Sequence, residues 1–533
     1  MNLNQVSPRF PINRPDIKTT GMHRTTITVT AVIRLLIVSL FILSVACQRQ
    51  GRPDELTMVI EKKFTHLDPR VSVDSADERI RQLMFNGLTR KNEKFEAVPD
   101  LASAIDPSPD NQTFTFKLRD GVKFHDGRVL TARDVKYTFD TMLQMKESQK
   151  RVELAQNIDF IAAPDPQTVI FRCKKAAPGL PNMILPVGII PEGSGETAER
   201  NPIGTGPFKF AGVTEAQELV LAAHENYFEG RPSINLLRIR VFEDNSTRES
   251  ELRKGSADLA INADFDPVTV EGLQKAPGLK VTLQDGSNVA HIGINLNDPI
   301  LKDPRVRQAI AYGIDREAII RDLLRGQAKP AGSILPVAHW AYEPDVTTYS
   351  YNPEKAKQLL DAAGRKAQGE QPRFSVTLKV STQSVFRKTA EIMQEQLRTI
   401  GVDLKIDSVE FNKMTQDIVS GNFQLYLRIV LGGNQSTDIF RFMYHSTSIP
   451  PNGQNRMRYT NPKIDKLLDE SLAAPRERQK QIFSEVQKML ADELPQIYLW
   501  YPSTVIVARD RVTGLSLDPS GDWGAVRNVK LSR

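Results

Sequence analysis

The chain is poor in the residues that build staples and metal cages: its 533 residues include 2 cysteines, 3 tryptophans and 7 histidines. Two cysteines exclude a disulfide framework and a cysteine-rich metal site. The histidines, at positions 23, 66, 125, 224, 291, 339 and 445, are scattered, and none lies three to five residues from another. GxxxxGKS/T, GxSxG, GxGxxG, HExxH and CxxC are all absent, so the usual phosphate-loop, nucleophile, dinucleotide, zinc-protease and redox signatures are missing. His125-Asp126 is the one local pair that invites a catalytic reading. It stands in Phe124-His125-Asp126-Gly127, where Asp-Gly marks a turn and a histidine serves as a structural hydrogen-bonder. No catalytic residue, metal or cofactor is expected.

An excess of one charge is missing too. Lys and Arg number 70 against 64 Asp and Glu, a balance of +6. Residues 1–46 carry five basic groups and one acid, so without them the balance is +2. So small a charge gives no strongly basic face, and nucleic acid is not an expected partner. The composition, 40% hydrophobic and 25% charged, excludes a disordered chain, a collagen-like fibre and a multi-span membrane protein. What the chain does have is length. One core stops growing near about 250–300 residues, so at least two lobes are expected.

There is one long apolar run, LLIVSLFILSVA at 35–46, following Arg34. Twelve residues span about 18 Å as a helix, short of the ~30 Å hydrocarbon core, which reads as a secretory signal cut after Ala46. A second start at Met22 is plausible. The tetrapeptide Ser44-Val45-Ala46-Cys47 resembles the lipobox of bacterial lipoproteins, with Ser44 where a branched aliphatic residue is usual. The resemblance implies a lipid on Cys47, a tether over 47–54, and a periplasmic or extracytoplasmic protein held to a membrane through that lipid. Gln48, not aspartate, follows the cysteine, which disfavours inner-membrane retention. Cys173, between Arg172 and Lys174, then has no partner and reads as an inert packed thiol.

Period-two alternation predicts strands over 112–118 and 237–241. Asp303-Pro304, Asn352-Pro353 and Asn461-Pro462 mark helix starts, the cap oxygen accepting an orphan N–H and the proline lacking one. Thr131 with Asp134 predicts a capping box, with Val135, Phe139 and Met142 on one face. Over 374–409 the order strand, helix, strand predicts a βαβ unit with parallel strands. The fold class is α/β.

The segment PDLASAIDPSPDNQTFTFKLRDGVKFHDGRVLTARDVKYTFD at 99–140 closely resembles the signature of family 5 bacterial solute-binding proteins, the oligopeptide, dipeptide and nickel receptors of ABC importers. THLDP (65–69), FNGL (85–88), NPIGTGPFKF (201–210), INLNDPILKDPRVRQAIAYGIDREAII (294–320) and YNPEKAKQLLDAAG (351–364) agree in order. The resemblance implies a periplasmic-binding-protein-like fold: two lobes joined by two hinge strands, the first lobe discontinuous with an inserted subdomain. The expected divisions are a signal peptide at 1–46, lobe I over 55–285 with the insert at about 90–195, lobe II over 286–495, and a return to lobe I at 496–533. Hinges are expected within 281–294 and 494–503. The implied function is capture of a peptide or peptide-like solute between closing lobes and delivery to an ABC permease in the inner membrane. The protein is expected to act as a monomer.

Peptide-binding members carry an aspartate that pairs with the peptide ammonium in a Trp-x-x-Asp loop of the second lobe. Here the stretch is 427–438, without the tryptophan, and Gly433-Asn434 stands near the anchor position. The expected ligand contacts are Asn434, an uncharged acceptor; Asp438, which either replaces the anchor or caps the following helix; Arg428, from a thin basic stretch running to Arg458; Arg387, for an anionic ligand end unless merely exposed; and Trp500, at the second hinge. An oligosaccharide, an opine or a metal chelate is the alternative cargo. A hydrolase would need a nucleophile–base pair, and a regulator's sensor domain would need a helix-turn-helix.

Overall fold

The computed structural model describes residues 54–532 apart from 72–74, 147, 149, 186, 368, 431, 433 and 434. The apolar run, Cys47 and Asn434 therefore lie outside the described residues. Among the described residues no helix is long and apolar enough to cross a membrane.

Two mixed sheets organise the chain. The first has seven strands in the spatial order Leu279–Gln284, Thr504–Arg509, Leu259–Ile261, Glu55–Ile60, Leu236–Val241, Leu219–Ala223 and Phe208–Val213. The second has six: Ala328–Pro330, Gln496–Pro502, Val289–Ile294, Leu425–Val430, Phe374–Ser381 and Val402–Val409. A separate four-stranded antiparallel sheet, between Ala102 and Cys173, forms the insert with its own phenylalanine-rich core. Cys173 sits in that core, and burial raises its thiol pKa to about 11, leaving it protonated and unreactive.

The local signals fold as their chemistry dictates. Asp303, Asn352 and Asn461 accept backbone N–H bonds from Arg305, Lys355 and Lys463 at the starts of the helices Pro304–Tyr312, Pro353–Ala362 and Pro462–Ser471. The Asp134 carboxylate takes the Thr131 N–H and hydroxyl, both at 2.8 Å. The predicted βαβ unit is present: Phe374–Ser381 and Val402–Val409 are parallel, joined by the helix Ser384–Arg398.

The chain passes between the two sheets at two places, from Gln284 to Val289 and from Pro502 to Thr504. The crossings run side by side, because Leu279–Gln284 pairs with Thr504–Arg509 on one side and Val289–Ile294 pairs with Gln496–Pro502 on the other. Gly286 permits this closeness. A β-carbon there would stand 2.0 Å from the Pro502 carbonyl oxygen. One expected boundary moves: residues 496–502 belong to the second sheet, and the return to the first sheet begins at Thr504, not at 496. The physical reason is burial, since QIYLWYP is a near-continuous apolar run wedged between two strands.

Candidate functional site

The first lobe reaches the second through a short hairpin, Thr89–Lys91 paired with Ala97–Pro99. Its loop is shaped by Asn92, whose side-chain oxygen accepts the N–H groups of Lys94 and Glu96, each at 2.9 Å. That turn holds Phe95 at φ 62° and presses its ring on the second lobe. The Phe95 and His339 rings stack at 5.9 Å, and Phe95 is only 1% exposed. Burial lowers the His339 pKa to about 3, helped by the nearby Arg476 charge, so the stack is between neutral rings. Around it the Trp340 N–H donates to the Lys94 carbonyl at 3.2 Å, Arg476 pairs with Glu96, and the Arg476 guanidinium lies 3.1 Å above the Trp340 ring. Lys91 bonds the Gln435 side chain.

The loop after Leu425–Val430 is in turn tied to the first crossing. The Gly432 N–H donates to the Asn288 side chain at 3.1 Å, and the Gln435 amide donates to the Ser287 hydroxyl at 2.8 Å. Farther along, Asp438 opens the helix Asp438–Tyr444, and its carboxylate faces the insert. A β-carbon on Gly179 would stand 3.3 Å from that carboxylate.

Behind the hairpin, on its first-lobe side, lies a cavity of about 710 Å³ lined by Arg81, Arg90, Lys91, Glu96, Asp100 and Arg527 among others. Charges of both signs face it. Arg90 pairs with Glu229 at 2.7 Å and stands 3.8 Å from Asp100, while Arg527 pairs with Glu229 at 3.1 Å. Burial raises the Asp100 pKa to about 6, although the Asn86 amide and Arg90 favour its ionised form. Such a site is suited to a solute with both polar and charged groups.

The expected contacts separate. Asp438 is at the seam between the lobes, in the first turn of its helix, with Thr437 at the cap position. Arg428 is half-buried on Leu425–Val430, opposite His291, with its guanidinium 4.8 Å from the centre of the Phe411 ring. Burial and the neighbouring Arg456 lower its pKa to about 10. Arg387 is exposed in the first turn of its helix. Trp500 is 5% exposed and belongs to the second lobe's core cluster with Ala290, Ala328 and Leu499. Sequence reasoning missed Phe95, Trp340 and Arg476. Arg90-Lys91-Asn92-Glu93-Lys94 reads as a solvated turn, and nothing in it marks the phenylalanine that follows as a contact between lobes.

The description "bacterial extracellular solute-binding proteins, family 5", middle region, matches residues 96–451. The chain belongs to that family. The matched stretch begins in the seam hairpin and takes in the strand after the first crossing and the loop at 431–437. The chain is 29% identical over 475 residues to the oligopeptide-binding protein AppA of Bacillus subtilis, covering 85% of this chain and 87% of AppA. A putative ABC transporter peptide-binding protein of Brucella ovis is 30% identical over 460 residues, covering 83% of this chain and 86% of that one. The solved structure of Bacillus subtilis AppA in complex with a nonapeptide superposes with a TM-score of 0.72 at 26% identity, covering 90% of this chain and 99% of AppA. The α/β, two-sheet architecture of this family 5 chain is thus that of its solved relatives.

Proposed function

We propose that this protein is the capture component of an ABC importer, enclosing a peptide or peptide-like solute between its lobes and releasing it to an inner-membrane permease. The observation that carries the reading is the seam. Two lobes with separate cores are joined by two adjacent crossings and meet again at the Phe95 hairpin, so rotation about the crossings opens and closes one cleft. AppA, bound to a nonapeptide in its solved form, supports a peptide cargo. The protein acts as a non-enzymatic monomer outside the cytoplasm, anchored by lipid on Cys47.

Trp340 is the natural reporter, since Trp500 and Trp523 are buried in cores. Titration with a broad peptide library is expected to change Trp340 emission saturably, and Trp340→Phe is expected to abolish the change while calorimetry still records binding. Absence of both signals across the library would overturn the reading. For the anchor, Cys47→Ala is expected to move the protein from the membrane to the soluble fraction; unchanged membrane association would remove the lipid.

A further inference from the structure

The cavity of about 710 Å³ behind the hairpin is lined by the first lobe and its insert, with no residue of the second lobe. Its wall comes chiefly from the helix Ser75–Met84, from the hairpin, and from the segment 516–528 near the end of the chain. The hairpin therefore stands between this cavity and the second lobe. The volume falls within the about 300–1,000 Å³ typical of small-molecule sites.

The basic groups on this wall are already engaged. Arg90 and Arg527 both pair with Glu229, at 2.7 and 3.1 Å. Arg81 donates to the carbonyls of Asp68, at 3.0 Å, and Val71, Lys91 bonds Gln435, and Lys94 is exposed. The acids are not so provided for. Asp100 is 3% exposed, and its Oδ1 accepts no hydrogen bond, the Arg90 guanidinium being 3.8 Å away. Elsewhere on the wall stand Glu78, Asp518 and Asp522. Asp518 and Asp522 each accept a nearby backbone N–H, from Ser520 at 2.9 Å and Gly524 at 2.7 Å, but among the described residues none of the three makes an ion pair. Burial raises the Asp522 pKa and the Asp518 and Glu78 carboxylates add to the rise, while the Gly524 N–H and Lys91 oppose it. Carboxylates held away from water and short of donors are costly, and a cation in the cavity would offset that.

Two acidic places in one cavity call for two positive charges on one molecule. We propose that this first-lobe cavity is a second binding site, for an aliphatic diamine whose ammonium groups are held by Asp100 and by the group of Glu78, Asp518 and Asp522, and that its occupant braces the hairpin against the second lobe. The proposal goes beyond the receptor reading, since this ligand is not the cargo. Ammonium-to-carboxylate hydrogen bonds are of the strong, charge-assisted kind. The link to closure is the hairpin itself, which turns Arg90 and Val98 to the cavity and Phe95 to His339 of the second lobe. Lys91 serves both sides: it lines the cavity, where its charge acts on Asp522, and it bonds Gln435. An ammonium on Asp522 leaves Lys91 to Gln435, so diamine and cargo favour the same closed arrangement and each tightens the other.

The test is calorimetry on the full-length protein with the diamine putrescine and the monoamine butylamine, first without peptide. Putrescine is expected to bind at least tenfold tighter than butylamine. Asp100→Asn, Asp522→Asn and Glu78→Gln should each remove that preference, and the last two should leave peptide affinity in the absence of diamine within twofold of the parent. Glu78 is only partly buried, so Glu78→Gln tests the site even where a variant at Asp100 or Asp522 fails to fold. With putrescine saturating, the tightest peptide of the library should bind at least threefold tighter. In Phe95→Ala, putrescine should bind as in the parent but no longer alter peptide affinity. Equal affinities for the two amines, a preference that survives the substitutions, or displacement of putrescine by peptide would overturn the site, and displacement would make the cavity part of the cargo cleft. A library with no binder would overturn the receptor reading alone, because the amine titrations are made without peptide.

Discussion

Phe95→Ala is expected to weaken solute binding at least tenfold while leaving the unfolding midpoint of the ligand-free protein almost unchanged. The split follows from where Phe95 is buried. The hydrophobic clusters of the first lobe do not include it, and its ring partner, His339, belongs to the second lobe. Truncating a buried phenylalanine costs about 3–5 kcal/mol, and here the loss falls on the state in which the lobes touch. Because ~1.4 kcal/mol is a factor of ten in a two-state population, even half of that cost exceeds a tenfold shift toward the open form. Small-angle scattering should show a larger radius of gyration for the variant at saturating parent-level ligand. An equal fall in the unfolding midpoint with unchanged affinity would mean that Phe95 serves the core of the first lobe instead.

Gly286→Ala is expected to act at the other end of the same motion. The added β-carbon would meet the Pro502 carbonyl oxygen at 2.0 Å, and backbone atoms cannot rotate aside as a side chain can. Overpacking of this kind costs about 1–3 kcal/mol, and relief requires the two crossings to separate. The expected result is an unfolding free energy in urea lowered by that amount, and so a lower urea midpoint, together with altered solute affinity, because the spacing of the crossings sets the geometry of closure. A variant with the parent's midpoint and affinity would show that the crossings tolerate a wider spacing than the structure gives them.

Features specified by neighbours in sequence were legible, and features specified across the fold were not. Asp303, Asn352 and Asn461 announce helix starts because a cap oxygen and its N–H are two or three residues apart. The parallel pair around Ser384–Arg398 follows from its own spacing. The 496–502 run is apolar and buried, but a strand buried on both faces carries no sign of which sheet it joins, so the expected return to the first lobe at 496 falls too early. Trp500 is ambiguous in sequence for the same reason: an aromatic residue near a crossing fits a ligand wall or a core equally well. Arg428 reads as one residue of a thin basic stretch, and only the fold sets it opposite His291, 137 positions away. Phe95 was illegible as a contact between lobes because its partners, His339, Trp340 and Arg476, are more than 240 positions distant.

One chain is expected to capture one solute between its lobes and to leave it unchanged. Native mass spectrometry tests this most directly, on protein that has been unfolded to strip any carried ligand, refolded, and incubated with a defined library of peptides and small acids. The expected result is a single added mass on a monomeric chain, one copy, recovered intact on dissociation. A protein that retains nothing from the library, or that returns cleaved or otherwise altered solute, would contradict it.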